Sequence, residues 1–311
     1  MPSRFSILLL ASLLLTFVLS KVLLSLVGRS SVAIKPELRQ VHASKQGTPV
    51  VGGVAFTLGT FAVTLSDPHL ASPTVLYPLL GLMLFALVGF LDDRLKQTSS
   101  NGDGLPSLLK LALQVQAALL LLIILKQHGL IDTTLDLGFA SLSLGPAYYL
   151  LALLYILYFV NAINITDGLD ALAAGSSLPM LLLIILFSVQ RSQSTSPALL
   201  GSLLAFLWFN RRPAKYFMGD CGSHALGGYL AISALLLKAE VALFVASGLF
   251  LVELASSLIQ IISIRRFGKK VFTIAPLHHA YELKGVKENR IVISFILVSW
   301  LFGAASLLLS R

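Results

Sequence analysis

Apolar segments of about 20 residues recur along the whole chain, and no other feature limits its fold so tightly. They fall near residues 5–27, 48–65, 74–91, 105–125, 145–163, 171–189, 197–209, 222–237, 241–264 and 291–309. A hydrocarbon core of roughly 30 Å needs about 20 helical residues, and backbone polar groups inside it must be satisfied within the segment. The fold class this implies is an all-α integral membrane protein of about ten transmembrane helices. Composition agrees, since 56% of residues are hydrophobic and only 12% charged, against about 25% charged in soluble domains. The seventh segment is short and bracketed by Pro197 and Pro213. Between the fourth and fifth, DTTLDLGFASLSLGP alternates apolar and polar residues around a turn; it predicts a small extracytoplasmic β-hairpin. The first stretch, Phe5 to Val27, is too long for a signal-peptide core and has no small-x-small cleavage site before Lys21, so it reads as an uncleaved span. With Cys221 as its single cysteine, the chain forms no internal disulfide. No repeat or linker divides residues 1–311, which read as a single membrane domain.

Ten spans place both termini on one side. Loops after odd-numbered spans hold 16 of the 23 lysines and arginines, among them Arg29, Lys35, Arg39, Lys45, Lys96, Arg211, Arg212, Lys215 and the RRFGKK run. The opposite face holds 5: Arg4, Lys126, Arg191, Lys238 and Arg311. By the positive-inside rule the odd-numbered loops are cytoplasmic. The net charge of +9 therefore describes orientation and not a nucleic-acid partner. Asp92, Asp93, Asp103, Asp167, Asp170 and Asp220 sort to the same cytoplasmic face without having entered the rule.

Several constellations on that face could carry chemistry. In GFLDDRLK, Asp92 and Asp93 repel each other at a membrane boundary, which a divalent cation or Lys96 would relieve; a solvated helix end gives the same pattern. In NAINITDGLDALAAG, Asn161, Asn164, Asp167 and Asp170 recur every third residue, placing neighbours on one helix face. Thr166 or Asp167 could instead cap a new helix and leave N–H groups for an anion. In FNRRPAKYFMGDCGSHALGG, Asp220 stands alone among glycines behind a basic loop. A positive loop and a small-residue packing seam would explain the rest of that stretch, but not the aspartate. Along the ninth segment Glu253, Ser256, Ser257, Gln260 and Ser263 form one polar stripe, suited to a cavity or to a hydrogen-bonded seam. PLHHAYELKG sets His278 and His279 side by side in a basic loop, where they could meet phosphate or act as acid and base. Together these groups point to Mg²⁺-dependent joining of a soluble phosphate ester to a lipid acceptor.

HASKQGTP with Gly52 and Gly53, GFLDDRLK, GLPSLLK, NAINITDGLDALA, FNRRPAKYFMGDCGSHALGG, VELASSLIQ and APLHHAYELKG run in order from residue 42 to 285. As a set they resemble the polyprenyl-phosphate N-acetylhexosamine-1-phosphate transferase superfamily, and within it the phospho-N-acetylmuramoyl-pentapeptide transferase type. The resemblance implies transfer of phospho-MurNAc-pentapeptide from UDP-MurNAc-pentapeptide to undecaprenyl phosphate, giving lipid I and UMP in peptidoglycan synthesis. It also implies Mg²⁺ and a multi-pass location in the bacterial inner membrane with a cytoplasmic site. Catalytic positions carried over are Asp92, Asp93, Asp220, His278 and His279, with Asp92 favoured for orienting or deprotonating the lipid phosphate and Asp220 with Asp92 for the metal. Substrate positions are Lys45, Thr48, Lys96, Lys110, Asn161, Asn164, Asp167, Asp170, Asn210, Phe217 and Gln260. The partners implied are the two substrates and the bilayer, with a homodimer left open. Departures are Val50-Val51 for threonine-methionine, Ala171 for a glycine, His224 at an apolar position, and Ala280 as the third of three histidines.

A sibling using UDP-N-acetylglucosamine is the close rival, and HHxYELKG favours the muramoyl type. A transporter should show internal repeats with broken helices, and none is visible. An inactive scaffold would tolerate loss of Asp92 or Asp220.

Overall fold

The structure is a computed structural model that describes residues 3–27, 45–99, 102–189 and 195–308. Residues 42–44, which open the HASKQGTP motif, and the cations Arg29, Lys35, Arg39, Arg191 and Arg311 lie outside the described residues. In chain order the elements are α1 (Arg4–Leu26), α2 (Gly52–Leu65), α3 (Pro73–Thr98), α4 (Ser107–Gln127), β1 (Thr134–Asp136), β2 (Ser141–Ser143) and α5 (Ala147–Thr166). There follow α6 (Leu172–Val189), α7 (Ser196–Asn210), α8 (Gly219–Leu237), α9 (Glu240–Ala246), α10 (Gly248–Phe267), α11 (Leu277–Leu283) and α12 (Glu288–Leu307).

Every expected apolar segment carries a helix. Among the described residues six helices, α1, α3, α4, α5, α10 and α12, are long and apolar enough to cross a membrane. Local signals set their ends. Ser3 caps α1 by accepting from the Ser6 N–H, Pro73 opens α3 in the first turn, where its missing N–H costs nothing, and α10 stops at Gly268 with φ +64°. The hairpin pairs Thr134 with Ser143, Leu135 with Leu142 and Asp136 with Ser141.

Helix α8 is the centre of the molecule, buried from Asp220 to Leu236, as a helix apolar on all sides must be. It packs against α3 and α5 above all. A Cβ on Gly89 of α3 would lie 2.0 Å from the Asp220 carbonyl oxygen; only glycine lets the end of α3 come this near the start of α8. Leu10 and Leu14 of α1, Leu119, Leu120 and Ile123 of α4, and Leu297 and Leu301 of α12 remain exposed. Such a continuous apolar exterior is what lipid would cover.

Three expectations need correction. The ninth segment is not one helix: it divides at Ser247 into α9 and α10, where the Ser247 hydroxyl hydrogen-bonds the Tyr158 hydroxyl at 2.7 Å and Gly248 packs against the Phe302 ring. Neither Thr166 nor Asp167 opens a new helix. Thr166 is the last residue of α5 and Asp167 its C-terminal cap, because Ala171 turns the chain with φ +66° before α6 begins. The histidine pair lies not in an open loop but on α11, with both rings buried.

Candidate active site

The end of α3 and the start of α8 bring the aspartates together. Asp92, Asp93 and Asp220 each offer a carboxylate oxygen within 4.8 Å of the others. Lys96, one turn after Asp92, bonds Asp92 Oδ2 at 2.6 Å and Asp220 Oδ1 at 3.0 Å. Lys110, on the first turn of α4, reaches the same two carboxylates at 3.3 and 2.7 Å. The remaining oxygen of Asp92 accepts the Leu105 N–H at 2.8 Å. Asp93 is differently engaged, since its two oxygens accept the N–H groups of Asp220 and Cys221 at 3.0 and 2.9 Å. It therefore acts on the N-terminus of α8 as a capping carboxylate, while its neighbour faces the lysines.

Asp167 borders this cluster. Burial, followed by the charges of Asp220 and Asp93, pushes its carboxyl well above the usual carboxylate range, and Lys45 offsets part of the rise. Asn164 donates to the Ser223 hydroxyl at 2.9 Å, tying α5 to the first turn of α8. Asn161 and Gln114 exchange a hydrogen bond at 2.9 Å, and Gln114 Nε2 lies 3.3 Å from His224 Nε2. That polar partner explains how the unusual histidine is accommodated inside α8.

The histidines are held by carboxylates. His278 Nδ1 is 2.8 Å from Glu253 Oε2, both side chains fully buried, and His279 Nδ1 is 2.7 Å from Glu282. His278 Nε2 is buried and has no hydrogen-bond partner among the described residues. A Cβ on Gly168 would sit 2.2 Å from it, so this nitrogen points into the turn beside Asp167. With Nδ1–H directed at Glu253, Nε2 accepts when the ring is neutral and donates when it is charged.

Other expected substrate residues build the walls. Lys45 pairs with Asp170 at 3.1 Å and Glu288 at 2.6 Å, and Glu288 also binds Arg212 at 2.7 Å. Asp170 accepts the Ala214 N–H at 3.1 Å, so it joins the basic loop to the turn after α5. Asn210 accepts from the Ala171 N–H and donates to the Tyr216 carbonyl, both at 2.8 Å. Gln260 accepts the N–H groups of Val271 and Phe272 and donates to the Phe272 carbonyl, which shapes the loop leading to α11. Phe217 is half-buried, and its backbone bridges Val50 in parallel. Thr48 lies in the turn just before that bridge. Sequence reasoning missed Gln114, Glu282 and Glu288, and had Glu253 only as part of a stripe; an acid in the basic stretch KGVKENR was the one available signal for Glu288.

Residues 75–238, which include the whole aspartate and lysine cluster, match the family described as glycosyl transferase family 4. The phospho-N-acetylmuramoyl-pentapeptide-transferase of Anoxybacillus flavithermus is 37% identical over 300 residues, covering 93% of this chain and 92% of its own. The chain belongs to this transferase family. Proteins of the same name from Halalkalibacterium halodurans and Bacillus subtilis are each 35% identical, covering 97% and 91% of this chain and 96% and 90% of their own. Ala171, where the resemblance implies a glycine, has a φ of +66°, the conformation glycine adopts without cost.

The donor set suits the cation that the transferase family implies. Three carboxylates meet two ammoniums, with Asp167 adjoining them. All the ligand atoms on offer are oxygens, as hard divalent cations such as Mg²⁺ and Ca²⁺ prefer, and a divalent charge there would favour the ionised form of Asp167.

Proposed function

We propose that the chain transfers phospho-MurNAc-pentapeptide from UDP-MurNAc-pentapeptide to undecaprenyl phosphate, forming lipid I and releasing UMP. The observation that carries this reading is the double clamp of Lys96 and Lys110 across Asp92 and Asp220. An oxygen of the lipid phosphate attacks the β-phosphorus. The new P–O bond forms as the bond from phosphorus to the α,β-bridging oxygen breaks, and the electron pair leaves with UMP. Asp92 orients the lipid phosphate or takes its proton. Lys96 and Lys110 lie where they can neutralise charge on the transferring and leaving oxygens. Asp220 and Asp92 would hold Mg²⁺, which when bound neutralises the diphosphate. His278 and His279 close the site from α11, and Gln260 and Asn210 fix the loops against which a nucleoside would rest. Direct transfer, which needs no covalent intermediate, is favoured over a two-step route through an aspartyl-phosphate.

We read residues 1–311 as one membrane domain with ten spans and the cluster at the cytoplasmic face of the bacterial inner membrane. The cation asymmetry supports that orientation, and with it an extracytoplasmic hairpin. A homodimer is compatible with this reading and not required by it. Purified protein supplied with undecaprenyl phosphate and each UDP-sugar in turn tests the substrate: lipid-linked product is expected from UDP-MurNAc-pentapeptide, and product from UDP-N-acetylglucosamine alone would overturn the assignment.

A further inference from the structure

At the end of α5 opposite the aspartates lies a cavity of about 330 Å³, walled by α5, α9, Leu235 of α8 and Leu135 of β1. Sixteen residues of helix separate Tyr148, in its wall, from Asn164 in the candidate active site, a distance of about 24 Å. None of the residues that build the candidate active site lines it. Leu151, Leu154 and Phe244, 39%, 55% and 40% exposed, rim the cavity. Its mouth therefore faces the apolar exterior and not water.

One carboxyl group interrupts this lining. Glu240, the first residue of α9, is 4% exposed. Its Oε1 accepts from the Tyr148 hydroxyl, while its Oε2 is buried and has no hydrogen-bond partner among the described residues. The other tyrosines are engaged elsewhere: Tyr155 donates to the Glu240 carbonyl at 3.0 Å, and Tyr158 pairs with Ser247. Lys238 precedes Glu240 by two residues, but its ammonium is turned to Asp132 and the Thr134 carbonyl and lies 4.7 Å over the Tyr148 ring.

A buried carboxyl oxygen without a donor is costly, and an ammonium compensates it better than a hydroxyl does. No lining residue is cationic, so a phosphate-bearing head would enter unpaired, and a fatty acid would set two carboxyls together. From Tyr148 to Tyr158 the lining runs about 15 Å along α5, the reach of about a dozen carbons. The volume falls within the range of small-molecule sites, roughly 300–1,000 Å³. We propose that this cavity binds a single-chain alkyl amine taken from the membrane, its ammonium on Glu240 Oε2 and its chain along Leu151, Leu154 and Phe244.

The test is photolabelling of the full chain in phosphatidylcholine nanodiscs with a diazirine-bearing dodecylamine. Label is expected on peptides of α5 and α9, with dodecylamine displacing it at concentrations about tenfold or more below dodecan-1-ol. Glu240→Gln, which keeps the shape, and Leu151→Trp, which blocks the mouth and leaves the carboxyl, should each cut labelling about tenfold. Wild-type labelling of Glu240→Gln, or equal competition by the alcohol, overturns the proposal. If Glu240→Gln does not fold, undiminished labelling of Leu151→Trp overturns it equally.

Discussion

Asp93 accepts the backbone N–H of Asp220 at 3.0 Å, so one member of the aspartate pair holds in place the helix start that carries the third aspartate. The two neighbours should therefore fail differently. Asp92→Asn removes a charge that faces the lysines, and turnover should fall about 10²–10³-fold with little change in thermal midpoint. Asp93→Asn leaves a buried N–H facing an amide NH₂, which costs about 1–3 kcal/mol. Its thermal midpoint should drop together with activity. Steady-state rates and thermal unfolding of both variants separate the two roles.

Gly168 fits where it does because it has no side chain to meet His278 Nε2. Gly168→Ala should displace the ring or the turn, costing about 1–3 kcal/mol of overpacking and most of the activity lost in His278→Ala. The comparison is between transfer rates of the two variants; full activity in Gly168→Ala would remove His278 from its assigned position.

Asp167 supplies a pH test with a definite sign. Its folded-state carboxyl is raised by burial and by Asp220 and Asp93, so ionising it costs stability once pH exceeds the ordinary carboxylate value near 3.8. Without added Mg²⁺, Asp167→Asn should unfold at a higher temperature than the parent at pH 8. That advantage should shrink to nothing as pH falls to about 4. Thermal unfolding followed across this range checks it, and turnover should fall in the variant regardless.

Ala171 holds a left-handed conformation, φ +66°, that costs a residue with a Cβ about 1–2 kcal/mol. Ala171→Gly keeps the N–H that Asn210 accepts. It should raise stability by about 1 kcal/mol, less the entropy glycine adds to the unfolded chain, as read by denaturant or thermal unfolding.

What the sequence made legible was whatever repeats or pairs locally. Apolar length placed a helix in each expected segment, and the turn residues of DTTLDLGFASLSLGP placed the hairpin. Charge pattern grouped Asp92, Asp93 and Asp220 before any contact was visible. The polar stripe of α10 is inward-facing over Glu253, Ser256, Ser257 and Gln260, which are buried, while Ser263 at its end is half-buried. The division at Ser247 was hidden because it depends on Tyr158, 89 residues away. The bonds that Asp170 and Lys45 make to Glu288 were hidden because it lies 118 and 243 residues from them. The buried helix under the histidines was equally hidden, since it depends on hydrogen bonds from their rings to Glu253 and Glu282 in a stretch that looks merely basic. Pairings over such separations are fixed by packing of helices, which no local pattern encodes.

The most direct measurement of the central claim is UMP release, followed together with lipid-linked product, by the purified chain and its Asp220→Asn variant at graded Mg²⁺ concentrations with UDP-MurNAc-pentapeptide and undecaprenyl phosphate. The account predicts one UMP for each lipid product, loss of both on chelation, and a rate about 10²–10³-fold lower in the variant at every Mg²⁺ concentration. Wild-type rates in Asp220→Asn, or product formation undiminished by chelation, would contradict it.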